Sequence, residues 1–158
     1  RDIGVTGVQT CALPILYAYM RYYAFMHTVQ VKPQEIFQAL ADPTRVRIVR
    51  LLAETGEESC LCELVDSLLE PQYKLSRHVK VLRQAGLLSA VKEGRWVYHR
   101  LVEGIPYLDR LYEALRLLPD VDGGFAHDVE RFRQRMCLRE DGRCRIGIQT
   151  PELAAGGE

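Results

Sequence analysis

The sequence predicts a mainly α fold carrying one small β-hairpin, an α+β class of about five to six helices, on three observations. Apolar residues recur at helical spacing in short segments from Val31 onward, and Gly or Pro breaks separate those segments. One stretch, "LLSAVKEGRWVYHRLV", alternates instead with a period of two around a Glu-Gly-Arg turn.

The elements follow in order. Pro33 to Leu40 is a short amphipathic helix with Ile36, Phe37 and Leu40 as its apolar stripe. Asp42 is placed to cap the next helix, and Pro43 suits its first position, where a missing N–H leaves nothing unsatisfied. Val46, Val49 and Leu52 repeat along that helix, Ile48 and Leu51 widen the stripe, and Gly56 ends it. Ser59 is the expected cap of a third helix from Leu61 to Leu68 or Leu69, closed by Pro71. A fourth runs from Gln72 to Ala85 and stops at Gly86. Two helices around a short turn, the second one basic, make a helix-turn-helix, and the hairpin that follows, with Lys92 and Arg95 at its tip, reads as the wing of a winged helix-turn-helix. After the wing, Pro106 to Leu118 carries Leu108, Leu111, Leu115 and Leu118 at helical spacing, a stripe for a dimer interface or for internal core.

At 158 residues and 18.1 kDa the chain is long enough for one domain with its own core. Net charge is zero, but residues 71–100 hold seven Lys and Arg against the single acid Glu93, a charge of +6, which leaves −6 for the rest. A basic patch on an otherwise acidic protein concentrates attraction for polyanions in one place, and points to nucleic acid rather than membrane. At about 100° per residue Leu75, Val79 and Leu82 fall in one narrow arc of the fourth helix. Tyr73, Arg77, Lys80 and Gln84 lie opposite, with Ser76 and Arg83 on the flank. With Gln72 and Lys74 at the start of the helix and Lys92 and Arg95 on the wing, this is the candidate surface for base edges and phosphates of double-stranded DNA. A solvated basic face on an ordinary surface helix is the alternative reading of the helix taken alone.

Five cysteines, Cys11, Cys60, Cys62, Cys137 and Cys144, form no disulfide framework and suit a reducing cytoplasm. No stretch reaches the roughly 20 uninterrupted apolar residues of a membrane helix; "CALPILYAYMRYYAFM" is broken by Arg21. Residues 1–16 resemble translated sequencing-adapter read-through, which makes Cys11 foreign and Met20 or Met26 the expected start. The domain reading is therefore 1–16 non-native, 17–30 an N-terminal extension, 31–118 the winged domain, and 119–158 a cysteine-containing extension with a disordered tail.

"ALADPTRVRIVRLL", "CLCEL", "LSRHVKVLRQAGLL" and "VKEGRWVYHRL", in that order and spacing, resemble the ArsR/SmtB family of bacterial metal-responsive repressors over about residues 33–118. The resemblance implies a homodimer that holds operator DNA and releases it on binding a metal or metalloid. It is closest to the arsenic-responsive branch, whose Cys-x-Cys signature matches Cys60 and Cys62, so the implied inducer is arsenite or antimonite. That branch often has a third cysteine three residues further on, where this chain has Val65. Other members use Asp and His residues on the helix after the wing for zinc, and Ile105 to Leu118 contains no histidine.

The dipole of a helix N-terminus favours thiolates at Cys60 and Cys62, and soft thiolates suit soft acceptors. Residues two apart in a regular helix point about 200° away from each other, so joint ligation is expected to unwind the first turn and distort the helix that supports the DNA-reading one. Packing is the plainer role for buried cysteines. The "CLREDGRC" turn brings Cys137 and Cys144 within reach of one another, and ligand, redox pair and packing are all open for them. Rival inducers are cadmium, lead, or oxidation and sulfide chemistry at the thiols. A thiol oxidoreductase acting on arsenic compounds would need an anion-binding loop beside the nucleophile, and no Gly-rich loop adjoins Cys60 or Cys62, so no catalytic residues are assigned.

Overall fold

The computed structural model describes residues 32–154; the expectations for residues 1–16 and 17–30, Cys11 among them, and for the last four residues lie outside this range. Helix α1 (Pro33–Leu40) opens on a proline and buries Ile36 and Ala39, while Phe37 is 66% exposed. The stripe is thus rotated from the expected one, because Ile36 and Ala39, three apart, set the packed face. Helix α2 (Pro43–Thr55) is capped as expected: the Asp42 carboxylate accepts the Arg45 N–H at 3.1 Å, and Gly56, at φ 67°, ends it with an N–H bond to the Leu52 carbonyl. Ile48, Val49, Leu51 and Leu52 are buried, and Val46 is half-buried at the edge of the stripe.

Ser59 does not cap the third helix. Ser59–Cys60 form a short strand, β1, and helix α3 (Leu61–Leu68) starts from Cys60 as its N-cap. Leu69, in the left-handed region at φ 53°, closes α3 two residues before Pro71. Helix α4 (Gln72–Gln84) ends before Gly86, which takes φ 69°. Strands β2 (Leu88–Glu93) and β3 (Trp96–Leu101) pair antiparallel from Leu88↔Leu101 to Glu93↔Trp96. Gly94 occupies the first of the two loop positions at φ 60°, the sign a type II′ turn asks there. The hairpin is expected from the sequence; its third strand is not. β1 pairs with β3 through Ser59↔His99 and Cys60↔Tyr98, giving the sheet order β1-β3-β2.

Helix α5 (Pro106–Arg116) packs on α2 with Leu108, Tyr112 and Leu115 buried; Leu111 is half-buried and Leu118 exposed. Two of the four stripe leucines, Leu108 and Leu115, are therefore internal core. Helix α6 (Gly124–Met136) begins where the Asp120 carboxylate accepts the N–H groups of Phe125 and Ala126, and it packs against α3 and α2 around Phe132. Asp128 on α6 takes a two-pronged bond from Arg47 on α2, both at 2.8 Å. The segment after α6 turns at Asp141 and Gly142, both at positive φ, with a bridge between Glu140 and Arg143, and a short helix α7 (Pro151–Ala154) follows. Among the described residues there are thus seven helices and a three-stranded antiparallel sheet, an α+β winged helix-turn-helix.

Candidate thiol centre and nucleic-acid interface

Three thiols meet. The Sγ atoms of Cys60, Cys62 and Cys144 all lie within 4.8 Å of one another, with Cys60 to Cys62 at 2.7 Å and Cys62 to Cys144 at 3.4 Å, and all three residues are buried. The first two converge with helix α3 intact. Cys60 is not in the helix: its backbone is extended (φ −84°, ψ 164°) and paired in the sheet, so the 200° separation that holds inside a helix does not apply. The expected unwinding of the first turn is thus unnecessary for the pair to meet.

Cys144 arrives from 82 residues away, and buried charge holds it there. Glu63, fully buried, accepts the Cys60 N–H at 2.9 Å and pairs with Arg139 through Nε at 2.8 Å and Nη2 at 2.9 Å. One turn on, Asp66 pairs with Arg135 Nε at 2.7 Å and accepts the backbone N–H groups of Gln149 and Thr150. The seven residues from Cys60, the cap of α3, to Asp66 within it so carry two thiols and the two carboxylates that clamp the segment bearing the third. The Cys144 N–H donates to Tyr98 Oη at 2.8 Å, which ties that segment to the centre of β3. Cys137 is not brought to this cluster: it is exposed, and its thiol donates to the Arg133 carbonyl at 3.3 Å.

Cys60 and Cys144 are held in the thiol form. The hydrogen bond shared with Cys62, then burial, then the Glu63 carboxylate push the Cys60 thiol far up, and burial pushes Cys144 up as well. At Cys60 the helix-dipole expectation is not met, because the bond shared with the second sulfur, burial and the Glu63 carboxylate together outweigh the dipole. Burial opposes the charge of Glu63, but the Arg139 guanidinium and the Cys60 N–H hold its carboxyl below the ordinary range.

The candidate nucleic-acid face of α4 is built as its helical wheel requires. Leu75, Val79 and Leu82 are buried, while Gln72, Tyr73, Ser76, Arg77, Lys80 and Gln84 on α4 are exposed. Lys74 is half-occupied by a 2.8 Å bond to Glu70. On the wing Lys92 and Arg95 are exposed; Arg95 stacks on Trp96, 4.8 Å from the ring centre, and donates to the Arg145 carbonyl at 3.0 Å. A cavity of about 640 Å³ joins the two regions, its walls including Cys60, Cys62, Ser76, Lys80, Trp96 and His99. His99 is buried with an unpartnered Nδ1, and burial, with Arg83 adding to it, lowers its pKa to about 4, so it is neutral at pH 7. His78 sits 3.7 Å from Asp42 at the start of α2, a packing position rather than a free cation. No helix among the described residues is long and apolar enough to cross a membrane.

The carboxylates and arginines of this clamp escaped the sequence reading. The available signal was Glu63 and Asp66 three apart on an apolar helix, facing Arg135 and Arg139 four apart near the C-terminus.

Comparison with known proteins agrees with this architecture. Residues 42–90 match the family described as "Bacterial regulatory protein, arsR family", a span that stops before Cys144. The HTH-type transcriptional regulator MJ1325 of Methanocaldococcus jannaschii is 40% identical over 90 residues, 57% of this chain and 94% of that protein. The arsenical resistance operon repressor of Escherichia coli K12 is 49% identical over 74 residues, 47% of this chain and 62% of the repressor. The HTH-type transcriptional repressor SmtB of Mycobacterium tuberculosis H37Rv is 42% identical over 69 residues, 44% of this chain and half of that protein. A helix pair whose second member, α4, is basic, a wing behind it and a relative matched along nearly its whole length place this chain in the ArsR family of DNA-binding transcriptional regulators.

Proposed function

We propose that the protein is a homodimeric repressor that releases operator DNA when trivalent arsenic or antimony binds Cys60, Cys62 and Cys144. The observation that carries this reading is a set of three buried thiols within 4.8 Å, two of which, Cys60 and Cys62, line a cavity together with α4 and the wing. The chemistry of buried thiols favours a metalloid hydroxide over a divalent cation. Arsenous acid condenses with three thiols, As(OH)₃ + 3 RSH → As(SR)₃ + 3 H₂O, so each sulfur's proton leaves in water and the product is neutral. A divalent cation must instead expel the thiol protons into solvent, and three thiolates leave a buried net charge of −1 beside Glu63. A similarity to the arsenical resistance repressor of Escherichia coli supports the same inducer class. Cys137 is outside the proposed ligand set because of its exposed position.

The test is release of operator DNA, titrated separately with arsenite, antimonite, cadmium, lead and zinc under reducing conditions. Cys60→Ser, Cys62→Ser and Cys144→Ser should each hold DNA and cease to release it with arsenite, a loss of about 1–3 kcal/mol of coupling. Cys137→Ser should respond as the unaltered protein does. Wild-type arsenite response in the Cys60 and Cys62 variants would make the cluster a packing feature.

A further inference from the structure

We propose that Arg143 and Glu93 couple the thiol centre to the wing, so that loss of DNA affinity works through the charge on Glu93. The inference rests on the function proposed above and assigns the route by which that site regulates DNA binding. Cys144 stands between two residues that grip the wing tip. Arg143 forks onto Glu93, with Nε 2.6 Å from Oε2 and Nη2 3.0 Å from Oε1. Its Nη1 also bonds Glu58 at 2.7 Å, just before β1, and its guanidinium lies 4.9 Å from the centre of the Tyr98 ring. On the other side, the Arg145 carbonyl accepts from Arg95 at 3.0 Å. The two flanking residues therefore hold the two residues on either side of Gly94, and the residue between them is the third thiol.

The wing tip carries Lys92 and Arg95 for phosphate contact and Glu93 between them. An acid at that place repels the DNA backbone unless its charge is neutralised, and in the inducer-free protein Arg143 neutralises it. The sulfur triangle is uneven, with sides of 2.7 and 3.4 Å and a third within 4.8 Å. Three bonds to one atom even out those sides, which shifts Cys144 relative to the Cys60 and Cys62 pair. Arg143 is bonded in sequence to Cys144 and moves with it. A two-pronged ion pair is sensitive to such a shift, since both bonds depend on one orientation of the guanidinium. Its loss leaves Glu93 charged against the phosphates.

The test uses a duplex selected from random-sequence DNA by the inducer-free protein, with affinity read by fluorescence anisotropy at fixed salt, with and without arsenite. Bound arsenic per chain is measured in parallel. Arg143→Ala should weaken inducer-free binding about threefold, the range of a partly exposed ion pair, and shrink the arsenite-induced drop by a similar factor at unchanged arsenic stoichiometry. Glu93→Gln should bind as the wild type does without arsenite and show the same smaller drop. The decisive variant is Glu93→Gln combined with Arg143→Ala, which should regain wild-type affinity, because no acidic charge is left at the wing tip; Glu58, the other partner of Arg143, lies outside the wing. If the double variant is as weak as Arg143→Ala, Arg143 acts through Glu58 or through folding and the proposal is overturned. It is equally overturned if both single variants keep the full arsenite-induced drop. A wild-type protein that binds arsenic and keeps its DNA affinity, or that selects no duplex, would instead sink the reading of function on which this one rests.

Discussion

Replacing Arg139 by alanine should destabilise the protein by about 3 kcal/mol, through a carboxylate that the substitution leaves behind. The Glu63 side chain is wholly buried and Arg139 only 9% exposed, joined by two bonds of 2.8 and 2.9 Å. Breaking a buried pair by removing one partner typically costs about 3–5 kcal/mol, because the remaining charge is uncompensated. The Cys60 N–H at 2.9 Å and Ser59 Oγ at 3.3 Å stay with Glu63, which places the loss at the low end, about 3 kcal/mol. In urea, with a slope of about 2 kcal/mol/M, the unfolding midpoint should fall by about 1.5 M. The pH dependence has a definite sign. Glu63 has its carboxyl held below the ordinary 4.5, so the pair's contribution is full above that value and is lost as pH falls through the folded-state value. The gap between wild type and variant should therefore narrow on acidification, and begin to do so above pH 4.5, because without Arg139 burial raises the Glu63 carboxyl of the variant and lets it take up a proton. Arg139→Met combined with Glu63→Gln should recover most of the loss, since no buried charge is then left. A loss under about 1 kcal/mol at pH 7, or one that persists unchanged in the double variant, would refute the reasoning.

The remaining predictions concern the inducer, DNA and assembly. Arsenite affinity should be nearly flat between about pH 6 and 8, because condensation with protonated thiols releases water and no protons, whereas cadmium affinity should rise by about tenfold or more per pH unit; calorimetry in buffers of different ionisation enthalpy checks both. Arg77→Ala should weaken operator binding by about 1–3 kcal/mol with unchanged circular dichroism, as loss of a base contact would, while Lys80→Ala should weaken specific and non-specific DNA alike and reduce the salt slope. Two copies should bind a near-palindromic site with half-sites about one DNA turn apart, and sedimentation showing one copy on the duplex would contradict this.

Features governed by near neighbours in the chain were legible. The Asp42 cap, Pro43 and Gly56 bound α2 because capping is an interaction across three or four residues. Leu75, Val79 and Leu82 faced inward and left Tyr73, Arg77 and Lys80 outside because one rotation per 3.6 residues decides which side chains share a face. The hairpin was visible for the same reason: its alternation and its Gly94 turn are local. In α1, where periodicity was the only guide, it found Ile36 but wrongly turned Phe37 inward, because the neighbours that cover α1 are not written in α1.

By itself, then, the sequence determined the succession of helices, the wing, the polarity of α4 and the presence of two thiols at the head of α3. Only the tertiary structure decided that Cys60 lies in a strand rather than a helix, since that follows from pairing with Tyr98 and His99 some forty residues on. Only it selected Cys144 over Cys137, which are equally plausible in sequence and separated by the turn between them. That choice depends on Glu63 and Asp66 finding Arg139 and Arg135 across more than 60 residues. Such pairs have no period and no spacing rule; they form because charges buried in a packed interior must find one another or destabilise it, and which ones meet is settled by how α6 packs against α3.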